Sequence, residues 1–181
     1  MRSFASIIAL AGIASANYRS GEVKTYEKFT YGRFTVRMQG ASKNGTCASF
    51  FTFWGGPGDL HEGWNEIDIE LVPSISGSPY STNIIWQNQQ QSQDYCWGKF
   101  PGTDWHEYAI EWTPEYVAWK YDGMECRRKT GGADVAFLNK EHQLMMNFWT
   151  PTFQGWGDNF SDWDMPWYTR YDYVQVETYN T

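Results

Sequence analysis

From residue 32 onward the chain alternates apolar and polar residues with a period of two, in short runs broken by Gly, Pro, Asn and Asp. In GRFTVRMQ (32–39), Phe34, Val36 and Met38 alternate with Thr35, Arg37 and Gln39. ASFFTFW (48–54) is almost continuously aromatic and apolar, which predicts a strand buried on both faces or one that meets a ligand on one face. GGPGDLHEG (55–63) reads as a loop, EIDIELV (66–72) as a strand, Pro73 to Pro79 as a turn and STNIIWQ (81–87) as the next strand. HEYAIEW (106–112), YVAWKY (116–121), Met124 to Arg127, HQLMMNFW (142–149) and RYDYVQVETY (170–179) continue the series. Thr113-Pro114 turns the chain, and Asp122-Gly123 is a hairpin signal. No stretch sustains a helical period, and there is no internal repeat or linker. The pattern predicts an all-β domain, an antiparallel sandwich or jelly roll.

One strand is chemically unusual. In NEIDIELV (65–72), Glu66, Asp68 and Glu70 fall on one face, and Ile67, Ile69 and Leu71 on the other, toward a core. A row of like charges is electrostatically costly and is kept mostly where function uses it. Two glutamates on one face meet the needs of glycoside hydrolysis. One attacks the anomeric carbon; the other protonates the leaving oxygen and later activates water. Residues i and i+4 of a straight strand lie about 13 Å apart, whereas a retaining pair brings its carboxyl groups to about 5–5.5 Å. The sheet must therefore curve, with the side chains leaning together on its concave side. Asp68, between the two, can share a proton or a hydrogen bond with a glutamate, and mutual repulsion keeps one group an acid near neutrality. A solvated acidic face or an oxygen-ligand site for calcium would produce the same stripe.

Composition narrows the choice. A length of 181 residues suffices for one domain with a core. Aromatic residues make up 19%, including 11 Trp and 12 Tyr, which argues against disorder and suits both a β-sheet and a surface that stacks on sugar rings. The net charge of -7, with no basic run longer than Arg127-Arg128-Lys129, is the wrong footprint for nucleic acid. MRSFASIIALAGIASA has a positive n-region at Arg2, an apolar h-region from Ile7 to Ile13 and an A-x-A pattern at Ala14 to Ala16. It predicts a signal peptide over 1–16, a domain over 17–181 and a secreted, extracellular product; a buried N-terminal strand is the other reading. The apolar run is too short to span a membrane. Asn44 and Asn159 lie in N-x-S/T sequons. Cys47, Cys96 and Cys126 allow one internal disulfide, with the pairing open.

E-I-D-I-E, preceded by Trp64 and an aromatic strand, resembles the active-site strand of glycoside hydrolase family 16, and within it most resembles the lichenases, endo-β-1,3-1,4-glucanases. SGEVKTYEKFTYGRFTVRM (20–38), GTCASFFTF (45–53), WHEYAIEWTPEYVAWKYDG (105–123), LMMNFW (144–149) and YDYVQV (171–176) have counterparts in the same order, so the likeness runs from about residue 18 to the end. The resemblance implies a concanavalin A-like jelly roll and β-glucan as the partner. By position it implies Glu66 as nucleophile, Glu70 as general acid/base and Asp68 as the assisting carboxylate. It also implies Trp64, Phe51 and Trp149 as aromatic positions lining the glucan site, with core packing the other reading for Phe51, and Glu22, Asn83 and Asn147 as positions that bind sugar hydroxyls. Trp112 and Trp119 are expected in the core. The family carries further strands before its S-G-E segment, so the sandwich is expected to lack some of them and to expose a sheet edge. Asp172 matches one position of the calcium site found in many lichenases; its partners there have no counterpart, and no metal or cofactor is assigned. A non-catalytic β-glucan-binding module and a wall-polysaccharide transglycosylase are the alternative functions.

Overall fold

The computed structural model describes residues 7–10, 20–55, 63–75, 80–87, 90–97, 102–157, 160 and 166–179. The strands, in chain order, are β1 (Ile7–Leu10), β2 (Gly21–Thr25), β3 (Gly32–Gln39), β4 (Cys47–Trp54), β5 (Asn65–Leu71), β6 (Tyr80–Trp86), β7 (Gln90–Gln91) and β8 (Asp94–Cys96). They continue with β9 (His106–Trp112), β10 (Tyr116–Tyr121), β11 (Met124–Thr130), β12 (Gln143–Trp149) and β13 (Arg170–Thr178); a short helix α1 (Gly132–Phe137) precedes β12. Among the described residues they form two antiparallel sheets. The larger, of eight strands, runs β1-β2-β12-β4-β5-β6-β7, with β8 also paired to β6; the smaller, of five, runs β11-β10-β9-β3-β13. This is the all-β sandwich that the period-two pattern predicts.

The inward positions of each run build the core. Phe34, Val36 and Met38 of β3 are fully buried, as are Tyr108, Ile110 and Trp112 of β9 and Val117 and Trp119 of β10. From the larger sheet Phe50, Ile67, Ile69 and Ile84 meet them in a single cluster. Trp112 and Trp119 are core residues, as expected. Trp119 does more than fill space: its Nε1 donates to the backbone oxygen of Asp68 at 2.8 Å. The smaller sheet thus holds the middle of the carboxylate strand from beneath. At the β10–β11 hairpin, Asp122 (φ 45°) and Gly123 (φ 80°) both adopt the left-handed region that a tight two-residue turn requires.

Several features were not legible in the pattern. The six-residue α1 falls where no helical period is sustained; it is too short for periodicity to register. The disulfide joins Cys96 to Cys126, tying β8 of the larger sheet to β11 of the smaller, and Cys47 is free and buried. Ile7–Leu10, inside the apolar stretch read as a signal-peptide core, pairs antiparallel with Glu22–Thr25. A sheet edge was expected to lie open; over Glu22–Thr25 the outer side of β2 is covered by this pairing. The rest of 1–16 lies outside the described residues, as do most of the loop read over 55–63, residues 76–79 and Asn159; Asn44 lies exposed in a turn.

Candidate active site

β5 lies centrally in the larger sheet, with β4, β12 and β2 on one side and β6 and β8 on the other. Its register organises the outer face into rows. Glu70 opposes Ser49 and Ser81. Ser49 in turn opposes Asn147, and Asn147 opposes Glu22. Asp68 lies between Phe51 and Asn83, and Glu66 between Phe53 and Ile85. Directly opposed residues of an antiparallel pair project from the same face. Glu22, Phe51, Asn83 and Asn147 therefore share the outer face with the three carboxylates. Trp149 opposes Cys47, one row beyond Glu70 on that face. Trp64, just before β5, donates from Nε1 to Glu66 Oε2 at 2.5 Å. The fold brings all nine residues singled out in the sequence to one surface.

The three carboxylates are not equivalent. Burial raises the Glu66 pKa, while hydrogen bonds from Asp68 and Trp64 oppose that rise and favour its anion. Burial pushes Asp68 well above the usual carboxylate range, and the charges of Glu66 and Glu70 push it further. Both effects favour the protonated form of Asp68, whose side chain is hydrogen-bonded to Glu66. Burial, reinforced by the charge of Glu66, raises Glu70 to about 8, against weaker opposition from Ser81 and Cys47. Burial raises both glutamates, but at Glu66 the hydrogen bonds from Asp68 and Trp64 favour the anion, whereas Glu70 rises to about 8 and is suited to give up a proton as an acid, the division of labour that acid/base catalysis needs.

Residues that sequence reasoning missed surround Glu70. Ser81 Oγ donates to Glu70 Oε2 at 3.4 Å, and Cys47 Sγ lies 3.9 Å from Oε1. Ser49 Oγ is 3.4 Å from both Cys47 Sγ and Trp149 Nε1. The Tyr171 hydroxyl donates to the backbone oxygens of Ser49 (2.8 Å) and Asn147 (3.0 Å), fixing the β4–β12 pair. Ser49 sits at the correct alternation within ASFFTFW, but only the pairing of strands reveals it as a neighbour of Glu70. The side-chain oxygens of Asn83 and Asn147 are buried with no donor among the described residues, so each has acceptor capacity left over. A groove of 430 Å³ at the β2–β12 end of the sheet is lined on its core-facing side by Val23, Met146, Phe148 and Tyr171, together with Glu22 and Asn147. Asp172 is ion-paired with Arg37 at 2.6 Å on the smaller sheet.

The charge arrangement has a measurable thermodynamic consequence. The folded protein retains the Glu70 proton up to about pH 8, whereas the unfolded chain releases it near the ordinary glutamate value of 4.5. The folded state binds more protons between these values, so stability falls as pH rises through that window. Glu70→Gln removes the penalty. Because Glu70 keeps partial contact with solvent, the gain is expected to be about 2 kcal/mol at pH 8, well below the full shift at about 1.4 kcal/mol per pKa unit. For a chain of this size that is roughly 4–8 °C in Tm. Thermal unfolding of both proteins at pH 4 and pH 8 checks this: the curves should separate at pH 8 and converge at pH 4. A variant equally or less stable at pH 8 would refute the electrostatic account.

The sequence profile described as glycosyl hydrolases family 16 matches residues 6–174. A beta-glucanase of Fibrobacter succinogenes is 32% identical over 173 residues, covering 92% of this chain and 49% of that protein. A xyloglucan endotransglycosylase/hydrolase of rice (Oryza sativa) is 30% identical over 162 residues, covering 86% of this chain and 53% of the rice protein. The chain thus spans about half the length of these curated relatives. Among solved structures, a prokaryotic beta-1,3-1,4-glucanase (lichenase) from a mouse hindgut metagenome superimposes with a TM-score of 0.77 at 27% identity, covering 94% of this chain and 78% of that one.

Proposed function

The chain belongs to glycosyl hydrolase family 16, and from that premise we propose that it is a retaining endo-glucanase that cleaves β-1,3-1,4-glucan by double displacement. The observation that carries the reading is the placement of Glu66, Asp68 and Glu70 at alternate positions on one face of β5, with Trp64 Nε1 donating to Glu66 and Ser81 Oγ to Glu70. In the first step the Glu66 carboxylate attacks the anomeric carbon while the Glu70 carboxyl gives its proton to the leaving glycosidic oxygen, forming a glycosyl ester on Glu66. In the second, the Glu70 carboxylate takes a proton from water, and that water displaces Glu66 with net retention. Asp68 and Trp64 hold the nucleophile by hydrogen bonds. Asn83 and Asn147 have acceptor capacity for sugar hydroxyls, and Trp149 offers an apolar ring face; Phe51, at 7% exposure, packs beneath that surface. Retention distinguishes this route from inversion, in which the two carboxyls flank a water and no ester forms.

The test is incubation of the purified protein with barley β-glucan, laminarin and xyloglucan, following reducing ends and product sizes. Rapid loss of β-glucan chain length with retained anomeric configuration is expected, and kcat/KM should fall above about pH 8 as Glu70 loses its proton. Activity confined to xyloglucan, or none on any glucan, would sink the substrate reading. The similarity to the rice xyloglucan endotransglycosylase/hydrolase supports a second reading, in which a sugar hydroxyl replaces water in the second step. Products longer than the starting chains would identify it.

A further inference from the structure

The flank of the larger sheet beyond β6 carries an aromatic pair that the proposed reaction does not use. In the β6–β8 register Tyr95 opposes Ser81, and Ser81 opposes Glu70 across β5–β6. Tyr95 thus lies in the cross-strand row of Glu70, on the same outer face. Gln93, two residues earlier, marks the same side, since its Nε2 donates to Ser81 Oγ at 3.2 Å. Trp97 lies just past the end of β8, beside Tyr95. Its ring centroid is 5.3 Å from that of Tyr95, with an interplanar angle of 58°. Trp97 is 67% exposed. A tryptophan left this exposed forgoes much of the gain its ring would make on burial, unless a ligand covers it.

We propose that Tyr95 and Trp97 form a stacking platform for the segment of glucan that lies on the β8 side of Glu70; this rests on the endo-glucanase reading above. The row Glu22–Asn147–Ser49–Glu70–Ser81–Tyr95 crosses six strands, which at about 4.8 Å per strand is a track roughly 24 Å long. A linear polysaccharide laid across the strands at Glu70 meets Asn147 and Glu22 on one side and this pair on the other. The C–H face of a pyranose packs on an aromatic ring without requiring a particular hydroxyl pattern. The platform therefore supplies chain-length affinity, while the polar groups near Glu70 supply orientation.

The platform is held from below. Cys96, between the two aromatics, points the opposite way, is fully buried and is bonded to Cys126 of β11. Arg127, next to Cys126, donates through Nη1 to the Thr82 backbone oxygen (2.9 Å) and Oγ1 (2.6 Å), and through Nη2 to the Ser92 oxygen (2.7 Å). The disulfide and these charged hydrogen bonds join the smaller sheet to the segment that presents the rings. Little ordering is left to be done on binding, which favours affinity.

The test uses affinity electrophoresis in gels containing barley β-glucan, laminarin or xyloglucan. The parent carries Glu66→Gln, so that substrate persists. Adding Trp97→Ala should weaken retardation about tenfold in apparent Kd, the scale of one lost aromatic stacking contact. Trp97→Phe should retain most of it, and thermal unfolding should be unchanged in both. If β-glucan retards the parent and the Trp97→Ala protein equally, the platform is wrong while the β-glucanase reading stands. If only laminarin or xyloglucan retards the parent, the substrate reading fails, and the platform stands or falls on the same comparison in that gel. If no gel retards the parent, both are overturned.

Discussion

Glu66→Gln is expected to lower turnover of barley β-glucan by on the order of 10⁴-fold or more, because the amide cannot form the glycosyl ester. Glu70→Ala should cost about 10²–10⁴-fold on polysaccharide, the range for loss of a positioned proton donor and acceptor. The two losses differ in kind. On an aryl glucoside with a good leaving group, the first step of Glu70→Ala needs little acid assistance, so the ester on Glu66 accumulates. Azide, an anion that needs no general base, then releases it and restores the rate, with a glycosyl azide of retained configuration as product. Glu66→Gln gains nothing useful from azide in that form. Were Glu66→Gln the variant to give the retained azide product, the assignment drawn from the opposed environments of Glu66 and Glu70 would be reversed. Asp68→Asn is milder in this scheme, since it removes a proton shared with Glu66 rather than a bond-making group.

Removing the Cys96–Cys126 bond is expected to cost about 3.5 kcal/mol of unfolding free energy, from the loop entropy that a link across a separation of 30 residues removes from the unfolded chain. In a chain of this size that corresponds to roughly 10 °C in Tm. The bond crosses between sheets, so its loss also frees β8 from β11 and loosens the face that carries Tyr95 and Trp97. Guanidinium unfolding of the Cys96→Ala/Cys126→Ala protein against the parent gives the free-energy difference. Thiol titration of the denatured, oxidised parent should find one reactive thiol, Cys47. Three thiols, or unfolding curves that coincide, would show that the link is not made or does not stabilise.

Much of this molecule is written in its local pattern, because a strand buried on one face imposes a period of two that a single chain displays. HEYAIEW and YVAWKY become β9 and β10 with the bounds the alternation predicts, and Asp122-Gly123 makes the turn between β10 and β11. Alternation alone also places Glu66, Asp68 and Glu70 on one face, with Ile67 and Ile69 behind them in the core. Resemblance to the family then points to Glu22, Asn83, Asn147 and the aromatics as neighbours of that strand, and the register sets them on its outer face. Alternation is silent on which strand pairs with which, since pairing is decided by long-range packing rather than by neighbours in sequence. For that reason Ser49, Ser81 and Cys47 could not be recognised around Glu70, nor Trp119 and Tyr171 as supports reaching across from the smaller sheet. The partner of Cys126 was open for the same reason, as was the fact that β1 can close the edge of β2. The pKa order of the three carboxylates is tertiary as well: their charges are fixed by composition, but burial and the hydrogen bonds from Trp64, Asp68 and Ser81 decide which of them keeps a proton.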